Sequence, residues 1–227
     1  MRKFLLFALV PLLSIACSNK PEEQPTETPN AGGAYYTYYV QKYIDVTDIV
    51  HVINNNDGII LSATGIEHVG SEFNKMFNDI SFNRTMSDFI TSSILNHFVK
   101  INLVSSNDFD EMHKAGSSLN DIAYFVGGSA LPFINGKYDD ALRFNWNQSS
   151  PEAHKNIGGV GLWYHPGYSP IYIKLQDITD KSLILASDHF GISFATKPTV
   201  NTKHNFTLSI IDCNGKELNA VFDWEYK

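Results

Sequence analysis

The sequence predicts an all-β fold, an immunoglobulin-like β-sandwich with one or two short helices inserted around residues 71–97. Three observations predict it. Apolar residues recur with period two in many short runs, as strands buried on one face require. The runs follow one another at intervals of about 8–12 residues with turn residues between them. The closing stretch HNFTLSIIDCNGKELNAVFDWEYK reads as a complete β-hairpin.

Taken in chain order, Tyr35 to Ile44 is rich in Tyr and Val and predicts a first strand. Thr47 to Ile53 and Ile59 to Ala63 flank the turn-like NNNDG of Asn54 to Gly58. Phe73, Met76, Phe77 and Ile80 have helical spacing, as do Met86, Phe89, Ile90, Ile94 and Phe98. They predict the one or two helices between Ser71 and His97, with the Met and Phe stripe as a core face. Val99, Ile101 and Leu103 alternate with Lys100 and Asn102, and Leu142, Phe144 and Trp146 alternate with Arg143 and Asn145. Val160 to Tyr164, Ile171 to Leu175, Leu183 to Ala186 and Ile192 to Ala195 are further short β-type runs.

The closing hairpin has a testable register. A two-residue Asn214-Gly215 loop sets Phe206 against Asp223, and the two apolar faces disagree. A three-residue loop, Cys213-Asn214-Gly215, pairs Asp212 with Lys216. Ile210 then meets Leu218, Leu208 meets Ala220 and Phe206 meets Phe222. That is a type I turn followed by a glycine in the left-handed region. A one-residue slip turns every core side chain outward, so the pattern selects one register.

Two stretches of the body resemble a known group. FVKINLVSSNDFDEMHKAGSSLNDIAYF, Phe98 to Phe125, is similar to a segment of lipoproteins from Bacteroides-type gut bacteria. HNFTLSIIDCNGKELNA resembles their closing hairpin. Those proteins are grouped as domains of unknown function. The resemblance implies a β-sandwich lipoprotein and transfers no catalytic residue.

The N-terminus supplies the address. Arg2 and Lys3 precede Phe4 to Ala16, a 13-residue run without charge. A bilayer requires about 20 apolar residues, so this run is too short to span one. A basic start, a short apolar core and a small residue at its end describe a secretory signal peptide, residues 1–16. Cys17 follows Ala16, and SIAC resembles the lipobox of bacterial lipoproteins, with Ser14 where that family usually carries Leu. The resemblance implies cleavage before Cys17 and diacylglycerol on its thiol, hence a membrane partner reached through an N-terminal lipid. Two or three acyl chains make a lasting anchor at about 0.8 kcal/mol per buried methylene. Ser18 to Ala34 holds Pro21, Pro25, Pro29 and three glutamates with almost nothing apolar, the composition of a tether. Its acids also resemble the export signal of surface lipoproteins. The expected location is the outer membrane, lipid-anchored, on the cell surface or the periplasmic face. Residues 35–227 are expected to form one β-rich domain.

Composition removes several classes of function. Without residues 1–16, fifteen basic residues face 24 acidic ones, a charge of −9. That balance argues against nucleic acid as a partner. With Cys17 lipidated, Cys213 has no cysteine to pair with, which excludes disulfide scaffolds and zinc ribbons. Gly-x-Ser-x-Gly and His-Glu-x-x-His are absent, and GSALPFINGK has the wrong spacing for a phosphate loop. The sequence points to no catalytic residue, metal site or cofactor.

Three clusters remain. In NDFDEMH, Asp108, Asp110, Glu111 and His113 offer hard ligands for Ca²⁺, but the glycine and distal Glu of an EF-hand are missing. An acidic loop bonded to its own backbone is the simpler reading. In GLWYHPGYSPIYIK, Trp163, Tyr164 and Tyr168 are candidate ligand contacts, because loop aromatics stack on sugars or dock peptides. The alternative buries Trp163 in the core. In AYYTYYVQKY both faces are partly apolar, as in a strand clamped between layers. The expectation is a non-enzymatic binding or accessory module of the envelope, with a glycan, peptide or envelope protein as partner. The alternatives are a structural or assembly subunit and a glycan-directed hydrolase with a dispersed site.

Overall fold

The computed structural model describes residues 33–55, 58–86, 91–143 and 168–227. Eleven strands and two short helices lie in these residues, in the order β1 (Ala34–Tyr36), β2 (Lys42–Asn55), β3 (Gly58–His68), α1 (Ser71–Met76), β4 (Arg84–Met86), β5 (Ser92–Ile94), β6 (Phe98–Ser105), β7 (Ala123–Ser129), α2 (Leu131–Asn135), β8 (Ser169–Lys174), β9 (His189–Phe194), β10 (Lys203–Asp212) and β11 (Glu217–Glu225). The fold is an all-β sandwich. One sheet has the order β11-β10-β6, the other β5-β2-β3-β9-β7-β8, and β1 pairs with β4 as a separate ribbon. All pairings are antiparallel except β2 with β5. Among the described residues no helix is long and apolar enough to cross a membrane.

The core forms where the two sheets meet. β10 buries every second residue from His204 to Asp212, while those between are exposed at Asn205 and Thr207 and partly buried at Ser209 and Ile211. Phe206, Leu208 and Ile210 thus pack with Ile49, Leu61, Phe125, Phe190 and Ile192 from the larger sheet. Each such side chain contributes about 1.5–3 kcal/mol on burial. A second cluster gathers Tyr39, Tyr43, Phe82, Phe133, Tyr138 and Tyr168 beside the first.

The hairpin register is the predicted one: Phe206 pairs with Phe222, Leu208 with Ala220 and Ile210 with Leu218. Gly215 N–H donates to the Asp212 carbonyl at 3.0 Å, and Asp212 N–H to the Lys216 carbonyl at 3.0 Å. Gly215 has φ +81° with open space around an added Cβ, so it is the backbone angle and not crowding that selects glycine there. The β2–β3 hairpin also lies where the apolar runs around NNNDG place it.

Other elements differ from expectation. Of the helices expected over 71–97 only α1 is present among the described residues, while Phe89 and Ile90 lie outside them. Met86 and Ile94 sit in the three-residue strands β4 and β5, and Phe98 opens β6; all three are buried. Buried residues in consecutive short strands produced a spacing that imitates a helix. Tyr35 to Ile44 is two strands with a break at residues 37–41. Leu142 ends a 3₁₀ turn from Asp140 to Leu142, while Phe144, Trp146 and the run Val160 to Tyr164 lie outside the described residues. Leu183 to Ala186 is a turn with one bridge, Ala186 to Ser129. The buried strand β7, AYFVGGS, was not anticipated, because a strand covered on both faces shows no alternation.

Candidate functional site

The acidic loop is folded around its own carboxylates. Asp110 Oδ1 accepts from the amides of Met112 and His113 at 2.8 and 2.7 Å. Asp108 Oδ1 accepts from Ala115 N–H at 2.8 Å, and Lys114 Nζ reaches its other oxygen at 3.2 Å. The His113 ring bridges two acids, with Nδ1 2.8 Å from Asp110 Oδ1 and Nε2 3.1 Å from Asp121 Oδ1. Phe109, fully buried between these acids, pins the loop to the core. Among the described residues no group of three or more acidic, His or Cys side chains is arranged to hold a metal ion.

This bridge has a pH window. Burial works against the His113 imidazolium, but hydrogen bonds to Asp110 and Asp121 outweigh it and raise the pKa above its ordinary 6.5. Burial also works against the Asp110 carboxylate, and the bonds from His113 and Met112 outweigh it and lower the pKa below 3.8. The His113 contribution is complete below its ordinary pKa and is lost as pH rises through the raised value. The Asp110 contribution is complete above its ordinary pKa and is lost as pH falls through the lowered value. The expected result is that His113→Ala destabilises most between pH 3.8 and 6.5 and progressively less at alkaline pH. Urea denaturation of both chains across that range checks it; a difference independent of pH would contradict the bridge.

Of the three aromatic candidates, Trp163 and Tyr164 lie outside the described residues. Tyr168 is a core residue. Its ring is buried among the second cluster, 6.1 Å from that of Tyr39, and its hydroxyl donates to the Ser92 carbonyl. A ligand cannot stack on a ring already covered. Tyr172 of the same stretch is half-exposed and stacks on Tyr124 with centroids 4.5 Å apart, while Lys174 Nζ lies 5.9 Å over the Tyr124 ring.

The tyrosine run owes its shape to Asp79, which sequence reasoning passed over. The Asp79 carboxylate has no exposure. Its oxygens accept from Tyr39 N–H at 2.9 Å, Val40 N–H at 2.8 Å, the Asn74 amide at 3.0 Å and the Tyr138 hydroxyl at 2.9 Å. Burial, reinforced by the Asp79 charge, pushes the Tyr138 pKa up to about 12 against the pull of Ser81. Burial likewise raises Tyr39 and Tyr43, so the phenols stay protonated; the Tyr138 hydroxyl donates to Asp79, and the Tyr43 hydroxyl accepts from the Asn74 amide at 3.1 Å. A carboxylate so enclosed holds a chain segment and has no lone pair left for a substrate. In front of it Tyr35, Tyr36, Tyr38, Gln41, Gly70 and Asn74 help line a small cavity of about 240 Å³.

A larger cavity of about 440 Å³ opens between the start of β10, the end of β11 and the turn after β6. Its rim carries Ser106, Asn107, Lys203, Asn205, Asp223 and Glu225 over His204 and Trp224. Asn205 Nδ2 donates to Asp223 Oδ1 at 2.8 Å, and Lys203 Nζ lies 3.6 Å from Glu225 Oε1. Beneath it the Ser105 hydroxyl sits 2.8 Å from His204 Nδ1. That pair has the elements of a nucleophile and base, but both residues are buried, and burial pushes the His204 pKa below its ordinary value. The pair bonds instead to the Asn107 and Asn201 carbonyls, which makes it a brace between the turn and β10. Both signs of charge and two amides at an open rim suit a polar ligand. No protein-family model, no curated protein and no solved structure matches this chain, so its assignment rests on the residues and geometry described above.

Proposed function

We propose that the chain is a lipid-anchored lipoprotein of the bacterial outer membrane whose β-sandwich is a non-enzymatic binding or accessory module. The observation that carries the reading is the run from Arg2 through the apolar core to Cys17 and the Pro/Glu-rich tether, which ends where β1 begins. The binding role is supported by the polar cavity between β10 and β11, whose rim offers donors and acceptors to a glycan or a peptide. The acids, His113, His204 and Asp79 inside the body are each engaged in holding loops and strands together, which favours a binding role over a dispersed hydrolytic site.

Cys17→Ser is expected to move the protein from the membrane to the soluble fraction without changing its stability, because the substitution removes the thiol that takes the lipid and touches none of the core residues described above. Membrane fractionation with mass spectrometry of the N-terminus checks it. Unchanged membrane association, or an unmodified thiol at position 17, would overturn the anchor.

A further inference from the structure

The end of the sandwich where the tether joins carries an unusual share of exposed apolar side chains. Ile66 lies near the end of β3, Val69 precedes α1, Met76 ends α1 and Ile80 follows it, and all four are exposed, Val69 by 71% and Met76 by 67%. Tyr35 of β1 is half-exposed and lines one cavity with Gly70 and Ser71, so the first strand after the tether lies against the same segment. Scattered surface hydrophobics are normal, but several in one short segment mark a docking surface. Of the charges beside them, Lys42 pairs with Glu67 at 2.7 Å and Arg84 with Asp140 at 3.2 Å, while Glu72 and Lys75 of α1 are exposed. The segment thus presents its apolar side chains beside one acid and one base, with no excess of either sign to attract a charged partner.

The tether decides what covers it. Residues 18–34 span at most about 55 Å when fully extended, and they end at β1 beside the patch. The Cys213–Lys216 turn lies at the same end, since Lys216 Nζ donates to the Val46 carbonyl at 2.7 Å and Val46 pairs with Gly65, next to Ile66. The polar cavity sits at the other end of β10, about 30 Å away at ~3.3 Å per residue. We infer that Tyr35, Ile66, Val69, Met76 and Ile80 rest on the surface of the membrane that holds the lipid, so that the polar cavity faces away from it. This orientation rests on the lipid-anchor reading. Side chains of this kind settle about 5–10 Å into the headgroup region, and acidic lipid is not needed for them to do so.

The test uses the full lipidated chain, purified from membranes, with Cys213→Ser and a single fluorophore on Val69→Cys, Met76→Cys or Val221→Cys. Val221 is exposed on β11 and serves as the reference. The chains are incorporated into phosphatidylcholine–phosphatidylethanolamine vesicles that carry nitroxide-labelled lipid. The expected result is at least twofold stronger quenching at positions 69 and 76 than at 221. Equal quenching at all three, with the protein still on the vesicles, would overturn the docking and leave the anchor standing. Protein that does not sediment with the vesicles would overturn both. In a second arm, Val69→Glu with Met76→Glu is expected to abolish quenching of a label at Ile80→Cys while the chain stays bound. Quenching that persists would overturn the docking, since the label would then reach the lipid without the apolar side chains proposed to hold it there.

Discussion

Asp79→Ala is expected to destabilise the protein by about 4 kcal/mol, because it removes the acceptor for four buried donors at once. The amides of Tyr39 and Val40, the Asn74 side chain and the Tyr138 hydroxyl all converge on the carboxylate. Each donor left dry costs about 1–3 kcal/mol, and water entering the space recovers part of that. Asp79→Asn keeps the volume but places an amide among donors, so its loss is expected to approach that of alanine. The same change frees residues 37–41 from the body, which limited proteolysis detects at the tyrosine run. Urea denaturation measures the global effect. A loss below about 1 kcal/mol, the worth of one ordinary hydrogen bond, would show that the carboxylate is dispensable.

Trp224→Ala is expected to cost about 3–5 kcal/mol, the range for deleting a buried aromatic ring. Trp224 is 2% exposed on β11, with ring centroids of Phe194, Phe206 and His204 at 5.2, 5.7 and 5.8 Å. Removing it leaves a void where the polar cavity's floor meets the core. Val221→Ala, three residues earlier on the solvent face of the same strand, is expected to change stability by no more than about 0.5 kcal/mol. The pair reads the hairpin register directly. Equal losses would mean that the alternation of β11 is not the one described.

These two residues also show which parts of the molecule were legible in the sequence. Trp224 was readable because a period-two pattern, a three-residue turn and a glycine in the left-handed region all select one register. Nothing comparable marks Asp79. In FNDISFN it looks like a turn residue, and only the fold brings it beside Tyr39 and Val40, some forty positions away in sequence. Its pull on those two amides explains why Tyr35 to Ile44 is not one strand: backbone donors bonded to a carboxylate cannot also join a ladder. The helix expected after α1 failed for a different reason. Strands of three residues, such as β4 and β5, are too short to establish a period of two, so Met86, Ile94 and Phe98 were grouped by a spacing that belongs to no single element. In the aromatic stretch Gly161 to Lys174, sequence identified side chains able to stack on a ligand but not their direction. Tyr168 fills the second cluster, whereas Tyr172 stacks on Tyr124 at the surface.

The ribbon of β1 and β4 has a mechanical consequence if the chain is held by its N-terminus as proposed. Tension on the N-terminus meets three residue pairs first, Ala34 with Met86, Tyr35 with Thr85 and Tyr36 with Arg84. These peel at low force and release residues 34–38, roughly 15 Å of slack at ~3.3 Å per residue. Further extension then pulls on Tyr39 and Val40, where the load is shared between both carboxylate oxygens of Asp79. The molecule thus has a yielding first stage and a firm stop behind it, so a pull on the N-terminus is taken up by the ribbon before it reaches the sandwich.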